Sequence, residues 1–511
     1  MKKPKVIAKS SIAQVRKQAP FVPRVASRIL RSLRASFITD RPIWMVFGVS
    51  TGVMLLFMFL AYRALMFSVL DLGLFNRHMY SLVHFDLSAN PLKGFNLLGD
   101  HAHIFLILLT PFYAIWPDPR TLLFIQVTAV TASIFPIYYI GRYYLRSRAV
   151  SLLWVAAYLA FFGIWAALAS PFHDSPVAVL PIAWALYHLL ISKKSRALII
   201  WLVILCLVRE DMPLVVAMFG VYLALFDKRW KFGLVIIGAS LTYMALLIGV
   251  VMDRLGPGYS YVQNPFGNSI LDIFKTSITR PLEVLKQIFL SPREKFATLV
   301  AMLVSFGGLP LLAPQILLLA APLWLGRTLT VEPWRWSTNM HYTASQAPFL
   351  TISAIVGLAW LAMSLRYTFR LTESRLHTGT LVISVLVVVL SIGISIRTHN
   401  DQILWLRWRS VQSLSPKIKS AYQAIDMIPP DSSVAIQSQF VPLTSRKNVY
   451  NIPFDIENTQ PDFVITMDEN EVPPFIGIKE LYKYRQSLIT FGYRVIYWQN
   501  GVVLLARPIK S

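Results

Sequence analysis

The chain has 511 residues, 55% of them hydrophobic and only 14% charged, with 49 Lys+Arg against 25 Asp+Glu and a net charge of +24. Soluble globular chains carry nearer a quarter charged residues, so a cytosolic enzyme is excluded, and 31 Phe, 14 Trp and 21 Tyr exclude disorder. One cysteine, Cys206, rules out an intrachain disulfide framework and a Cys-rich metal site. What remains is a polytopic membrane protein. In chain order, residues 1–42 form a basic tail with a single acid, Asp40. Ile43–Met66 is the first run of the roughly 20 apolar residues that a bilayer crossing needs, too long and too far along the chain for a cleaved signal peptide.

The segment from Met66 to Arg120 is too apolar for a solvated loop. Leu72, Phe75, Met79 and Leu82 recur at spacings of three and four, with Asn76, Arg77 and His78 between them, which predicts an amphipathic helix in the membrane interface. Pro91 and Gly94 end it. Ile104–Trp116 is short for a span and contains Pro111, so a re-entrant or interfacial helix is predicted there. Further spans are predicted at Thr121–Gly141, Val150–Leu168, Pro176–Ile191, Ala197–Val208, Met212–Phe226 and Phe232–Val251. After a polar stretch come Phe296–Leu309, Leu311–Leu325, Ala347–Leu365 and Thr378–Ile396. With the first, these make about eleven crossings. Residues 43–396 are therefore expected to form a helical membrane domain, and 397–511 a small soluble domain. In that domain Ser415 caps a helix opening on Pro416. Strands are expected at Ser433–Ile436, Phe463–Thr466, Val495–Tyr497 and Val502–Ala506, with Asn500-Gly501 as a hairpin turn. An α/β or α+β architecture fits.

Lys and Arg mark the cytoplasmic ends of spans. The basic tail, then Arg142, Arg146 and Arg148, then Lys193, Lys194 and Arg196, then Lys228, Arg229 and Lys231, and finally Arg366, Arg370 and Arg375 obey one alternation. The N-terminus is then cytoplasmic and the C-terminal domain extracytoplasmic, in a cell (inner) membrane. The net positive charge is thus a topology signal and an attraction to anionic membrane lipids, and no nucleic-acid partner is expected.

The opposite face collects polar clusters from separate loops: Asp71-Leu72-Gly73-Leu74-Phe75-Asn76, Phe172-His173-Asp174-Ser175-Pro176, Arg209-Glu210-Asp211-Met212-Pro213, and Trp334-Arg335-Trp336 with Asn339-Met340-His341-Tyr342. Ionisable residues at span ends are functional candidates, because their desolvation needs a partner or a substrate. Asp71 is either the N-cap of the amphipathic helix or a working carboxylate. Arg209 pairs with one of Glu210 and Asp211 and leaves the other acid over. His101 and His103, two apart, do not share a helical face, and neither a zinc-helix motif nor a Walker-type phosphate loop occurs.

These motifs resemble the Asp-Leu-Gly-x-Phe-Asn segment and its successors in DUF 2079, a prokaryotic family of polytopic membrane proteins. The match continues at His101 and Pro111-Phe112-Tyr113, Phe172-His173, Arg209-Glu210-Asp211, and His341-Tyr342 followed by Pro348-Phe349, and includes a similar tail from Ile428 to Leu505. Ala102-His103-Ile104 and Asp174-Ser175 depart from the family pattern. The family in turn resembles the GT-C superfamily of integral membrane glycosyltransferases. That resemblance implies an outward-facing site beneath the first large loop, with an essential acid there, and a polyprenyl-phosphate sugar as donor. Asp71 occupies the position of that acid and would be the catalytic base or would orient the acceptor. Arg209, His101, His341 and Arg335 would serve the donor phosphate. His173, Glu210 and Asp211 would place the acceptor, a lipid, glycan or protein, or hold a divalent ion, and Asp174 would be a further substrate-binding residue. A divalent cation, Mg or Mn, would find its ligands among Asp71, Glu210 and Asp211. The rival readings are a transporter or lipid flippase, which would show inverted repeats that this chain lacks, and a non-catalytic envelope assembly protein.

Overall fold

Long apolar segments with few interruptions become the long helices, and the capping residues fix where they start. In the computed structural model, which describes residues 40–256, 266–267, 270–398, 412–469 and 477–508, α1 runs Arg41–Arg63. The chain divides at this helix into two compact units, Met1–Ser50 and Thr51–Ser511. Everything that follows concerns the second. The basic tail up to residue 39 lies outside the described residues.

The long loop after α1 supplies two short helices, α2 (Leu74–Val83) and α3 (Phe105–Ile115), as expected. Next come α4 (Pro119–Leu145) and the bent pair α5 (Arg148–Ala160) and α6 (Phe162–Ala169). After them lie α7 (Asp174–Ser192), α8 (Ser195–Val208), α9 (Met212–Leu225) and α10 (Trp230–Leu255). Asp118 caps α4 by accepting from the Arg120 N–H at 2.8 Å, and Pro119 opens it. Ser147 caps α5 in the same way. The last long helices are α13 (Ala347–Phe369) and α14 (Glu373–Thr398), preceded by α11 (Pro292–Val304) and α12 (Ala321–Thr328).

Six described helices are long and apolar enough to cross a membrane, and seven if the bent pair counts as one span. The expectation of about eleven is reduced for two reasons. α8 and α9 are apolar but short. The expected spans at Phe296–Leu309 and Leu311–Leu325 are broken. Gly307 and Gly308 take positive φ, and Pro310, Pro314 and Pro322 each open a new short turn, since proline cannot donate to a continuing helix. Irregular backbone in apolar surroundings needs partners, and α13 supplies them: Ser353 Oγ donates to the Pro310 and Ala313 carbonyls at 2.9 Å each. α13 is the central helix, buried continuously from Ala347 to Ala359. α14 is peripheral, with Val382, Leu386 and Val389 more than half exposed, as lipid-facing residues are.

The C-terminal domain is a five-stranded mixed sheet in the order β2-β1-β3-β5-β4. Its strands are β1 (Val434–Ile436), β2 (Val449–Asn451), β3 (Phe463–Met467), β4 (Arg494–Gln499) and β5 (Val502–Ala506). β1 is parallel to both neighbours, and β3, β5 and β4 are antiparallel. β2 is three residues long and had no alternation to reveal it. The helices α15 (Pro416–Asp426) and α16 (Ile478–Phe491) accompany the sheet, and Ser415 caps α15 as expected. Asn500 and Gly501 both take positive φ in the β4–β5 turn. Ala435, Val464, Leu481, Leu488, Val503 and Leu505 form the domain core.

One expectation is revised. The polar side of α2 does not face water, because Asn76, Arg77 and His78 are all buried. The C-terminal domain covers it. Asn76 Nδ2 donates to Thr444 Oγ1 at 2.8 Å and Ser445 Oγ at 3.0 Å, and Arg77 donates to the Lys447 carbonyl at 3.0 Å. One turn earlier, the Val69 N–H donates to the Ser438 carbonyl at 2.7 Å.

Candidate functional site

Five short segments, each at the end of a helix or in a turn, supply the polar lining of one cavity of about 460 Å³, and Met244 and Ile248 of α10 add an apolar wall. The five segments are the turn before α2, the loop from Lys93 to His103, the His173-Asp174 turn ahead of α7, the Arg209–Asp211 turn between α8 and α9, and the Gly326–Ser345 segment. The structure therefore gathers all four polar clusters singled out in the sequence into one place.

Asp71 sits in a tight π-turn, Val69–Gly73, whose N-cap is Ser68, accepting from the Leu70 N–H at 3.0 Å. The cap role open to Asp71 in the sequence thus belongs to Ser68. The Asp71 carboxylate instead faces His173, with Oδ1 3.3 Å from Nε2. Burial opposes ionisation of Asp71, but the hydrogen bond and charge of His173 outweigh it and hold the carboxyl below its ordinary range. The same pairing raises the His173 imidazole above its ordinary value against the effect of burial. His173 is fixed on every side. Its N–H donates to Gln126 Oε1 at 2.8 Å, its Nδ1 lies 3.1 Å from the Pro171 carbonyl, and its ring stacks on His341 with centroids 3.6 Å apart.

Two more histidine–carboxylate pairs stand beside this one. His101 Nδ1 lies 2.7 Å from Glu210 Oε1, and the other Glu210 oxygen accepts from the Ala102 N–H at 3.2 Å. Burial works against the Glu210 charge, yet His101 outweighs it and holds the Glu210 carboxyl below its ordinary range, while the His101 imidazole is raised in return. His103 Nδ1 lies 2.9 Å from Asp174 Oδ2. Arg209 ties the cluster together: it grips Asp211 in a fork, approaches Asp174 Oδ1 at 3.5 Å, and donates to Ser175 Oγ at 3.2 Å. The acid left over by the Arg209–Asp211 pair is Glu210, and its partner comes from the first loop. Arg335 is paired with Glu332 at 2.5 Å.

Three contributors lacked a sequence signal strong enough to be named. Lys93, between Pro91 and Gly94, lines the cavity and pairs with Asp100 at 2.7 Å. Gln126 lies inside a span and anchors His173. Arg327 lies just past an apolar run, where a buried ionisable residue is itself the signal. Among the described residues, no group of three or more His, Cys, Asp or Glu is arranged to hold a metal ion. Each of Asp71, Glu210 and Asp211 already faces a cationic or histidine partner. That donor set does not fit a metal held by the protein alone.

A family model described as predicted membrane protein (DUF2079) matches residues 61–504. No curated protein matches the chain. Among solved structures, ArnT from Cupriavidus metallidurans bound to undecaprenyl phosphate aligns with a TM-score of 0.49 and 12% identity, over 91% of this chain and 98% of that one. ArnT in the apo state aligns with the same TM-score and identity, over 91% and 97%.

Proposed function

The chain belongs to the DUF2079 family of predicted membrane proteins, and from that premise we propose that it is an integral membrane glycosyltransferase. It moves a sugar from a polyprenyl-phosphate donor to a lipid, glycan or protein acceptor on the outer face of the membrane. The observation that carries this reading is the state of Asp71. Its side chain is 38% exposed on the cavity, whereas Glu210 and Asp174 are 4% and 3% exposed and neutralised. Asp211 is accessible too, but both its oxygens are taken by Arg209. Asp71 is the cavity carboxylate that combines ionisation with access, which is what a general base requires.

In the transfer, the acceptor hydroxyl loses its proton to Asp71 as its oxygen bonds to the anomeric carbon. The bond from that carbon to the donor phosphate breaks, and the phosphate departs with the electron pair. His173 keeps Asp71 oriented and ionised. The cations of the cavity favour the additional negative charge that the phosphate gains as it departs. No step runs through a metal. The resemblance of the Asp71 loop motif to the acid-bearing loop of the GT-C superfamily supports the same assignment.

Purified Asp71→Asn protein is expected to lose about 10²-fold or more in sugar transfer from a labelled polyprenyl-phosphate donor, while still expressing and folding, with a melting temperature lowered only by the loss of the His173 pairing. Transfer at the wild-type rate by this variant and by Asp71→Ala would overturn the assignment. A deletion strain is expected to accumulate the lipid-linked sugar. Unchanged envelope glycans would count against the reading.

A further inference from the structure

The carboxylates described above neutralise Lys93, Arg209, Arg335, His101 and His173. Arg327 stands apart. It is 5% exposed, lines the cavity, and forms no ion pair among the described residues. Its nitrogens donate only to neutral acceptors: the Arg335 carbonyl at 2.7 Å, Thr343 Oγ1 at 3.0 Å and the Ser337 carbonyl at 3.0 Å. A guanidinium withdrawn from water without a counter-charge is costly, and here an open cavity adjoins it. A second observation lies on the same segment. His341, 3% exposed, lines the cavity two residues before Thr343, and its Nδ1 has no hydrogen-bond partner among the described residues.

We propose that Arg327 and His341 form a subsite for a phosphate group, a monoester or diester, that supplies the missing negative charge. The proposal rests on the glycosyltransferase reading only for what the phosphate is attached to. The subsite itself follows from the charge balance of the cavity wall. It relocates the donor phosphate from Arg209 and His101, whose charges are already matched, to the opposite partner of the His173 stack. Because His341 stacks on His173 and His173 faces Asp71, the phosphate would lie next to the base. The imidazole pair between them would screen one negative group from the other.

The test is a binding titration of the purified full-length protein in detergent, by thermal shift, with a short-chain polyprenyl phosphate and separately with inorganic phosphate. Arg327→Gln is expected to weaken polyprenyl phosphate about tenfold or more, the loss of one charge-assisted contact, and Arg327→Lys to recover most of it. His341→Ala is expected to weaken it about threefold or more. Inorganic phosphate binding with the same dependence on Arg327 also supports the subsite and makes soluble phosphate a ligand in its own right. Wild-type affinity in both Arg327→Gln and His341→Ala, or no binding of either probe to the wild type, overturns it. Arg327 also braces its neighbours, so if Arg327→Gln does not fold, His341→Ala decides alone, and unchanged affinity there overturns the subsite. A protein that binds as expected but transfers no sugar keeps the subsite and loses the glycosyltransferase reading.

Discussion

At Asp71 and His173 the two halves of one pair titrate in opposite directions, and their effect on stability has a definite sign. The lowered Asp71 carboxyl contributes stability above its unfolded value and loses it as the pH falls through the lowered one. The raised His173 imidazole contributes below its unfolded value and loses that contribution as the pH rises through the raised one. Glu210 and His101 behave alike. Both pairs are therefore complete between roughly pH 4 and 6.5, the ordinary carboxylate and imidazole values. The melting temperature is expected to be highest in that window and to decline on its alkaline side. His173→Gln, which cannot ionise, should flatten part of the alkaline decline, and melting curves of the two proteins from pH 4 to 9 check it. Identical alkaline limbs would show that the pair is not ionic.

Elements hold these side chains by close backbone contact as much as by hydrogen bonds. Gly99 lies in the loop just before His101, against Gly256 at the end of α10. A Cβ added at Gly99 would meet the Gly256 backbone nitrogen at 2.2 Å. Backbone cannot yield as a flexible side chain can, so Gly99→Ala is expected to cost about 1–3 kcal/mol, read as a lower melting temperature. Transfer should fall along with it, since the His101–Glu210 pair shifts with the loop. A melting temperature and transfer rate equal to wild type would show that the loop has slack. Much at this scale was legible beforehand. The boundaries of α4, α7, α10 and α14 follow from apolar run length, and the caps at Ser415 and the turn at Asn500-Gly501 from local chemistry. The clusters around Asp71, His173, Arg209 and His341 stood out because charge is scarce in an apolar chain. What escaped was set by distant contacts. Ser68 takes the cap at Asp71, Glu210 finds His101 from 109 residues away, and paired glycines and prolines break what hydropathy alone reads as two spans between Phe296 and Leu325.

Across the whole second unit, the membrane helices and the C-terminal sheet domain meet at the helix that follows Asp71. Asn76 is the centre of that joint. It donates to Thr444 and Ser445, and its Oδ1 accepts from Tyr113 Oη at 2.7 Å. Asn76→Ala strands these buried groups and is expected to lower stability by about 1–3 kcal/mol. If the joint orients Asp71, the turnover number should fall more than the donor KM rises, and steady-state kinetics of the variant separate the two. A drop in melting temperature without a kinetic change would confine Asn76 to a structural role. The excess of positive charge, meanwhile, has nothing to do with this joint. Residues 1–42 hold eleven Lys/Arg and one acid, and much of the remaining excess lies in the turns on one side of the alternation.

The bond from Ser68 to Ser438 joins residues 370 apart in sequence. A ribosome adding about 10 residues per second needs roughly half a minute to travel between them. Throughout that interval the membrane helices can insert and pack, but the turn bearing Asp71 has no Ser438 to close on. On the glycosyltransferase reading, activity therefore waits for the last part of synthesis, and in a chain cut short before its final domain the turn bearing Asp71 stays unbraced at Ser438.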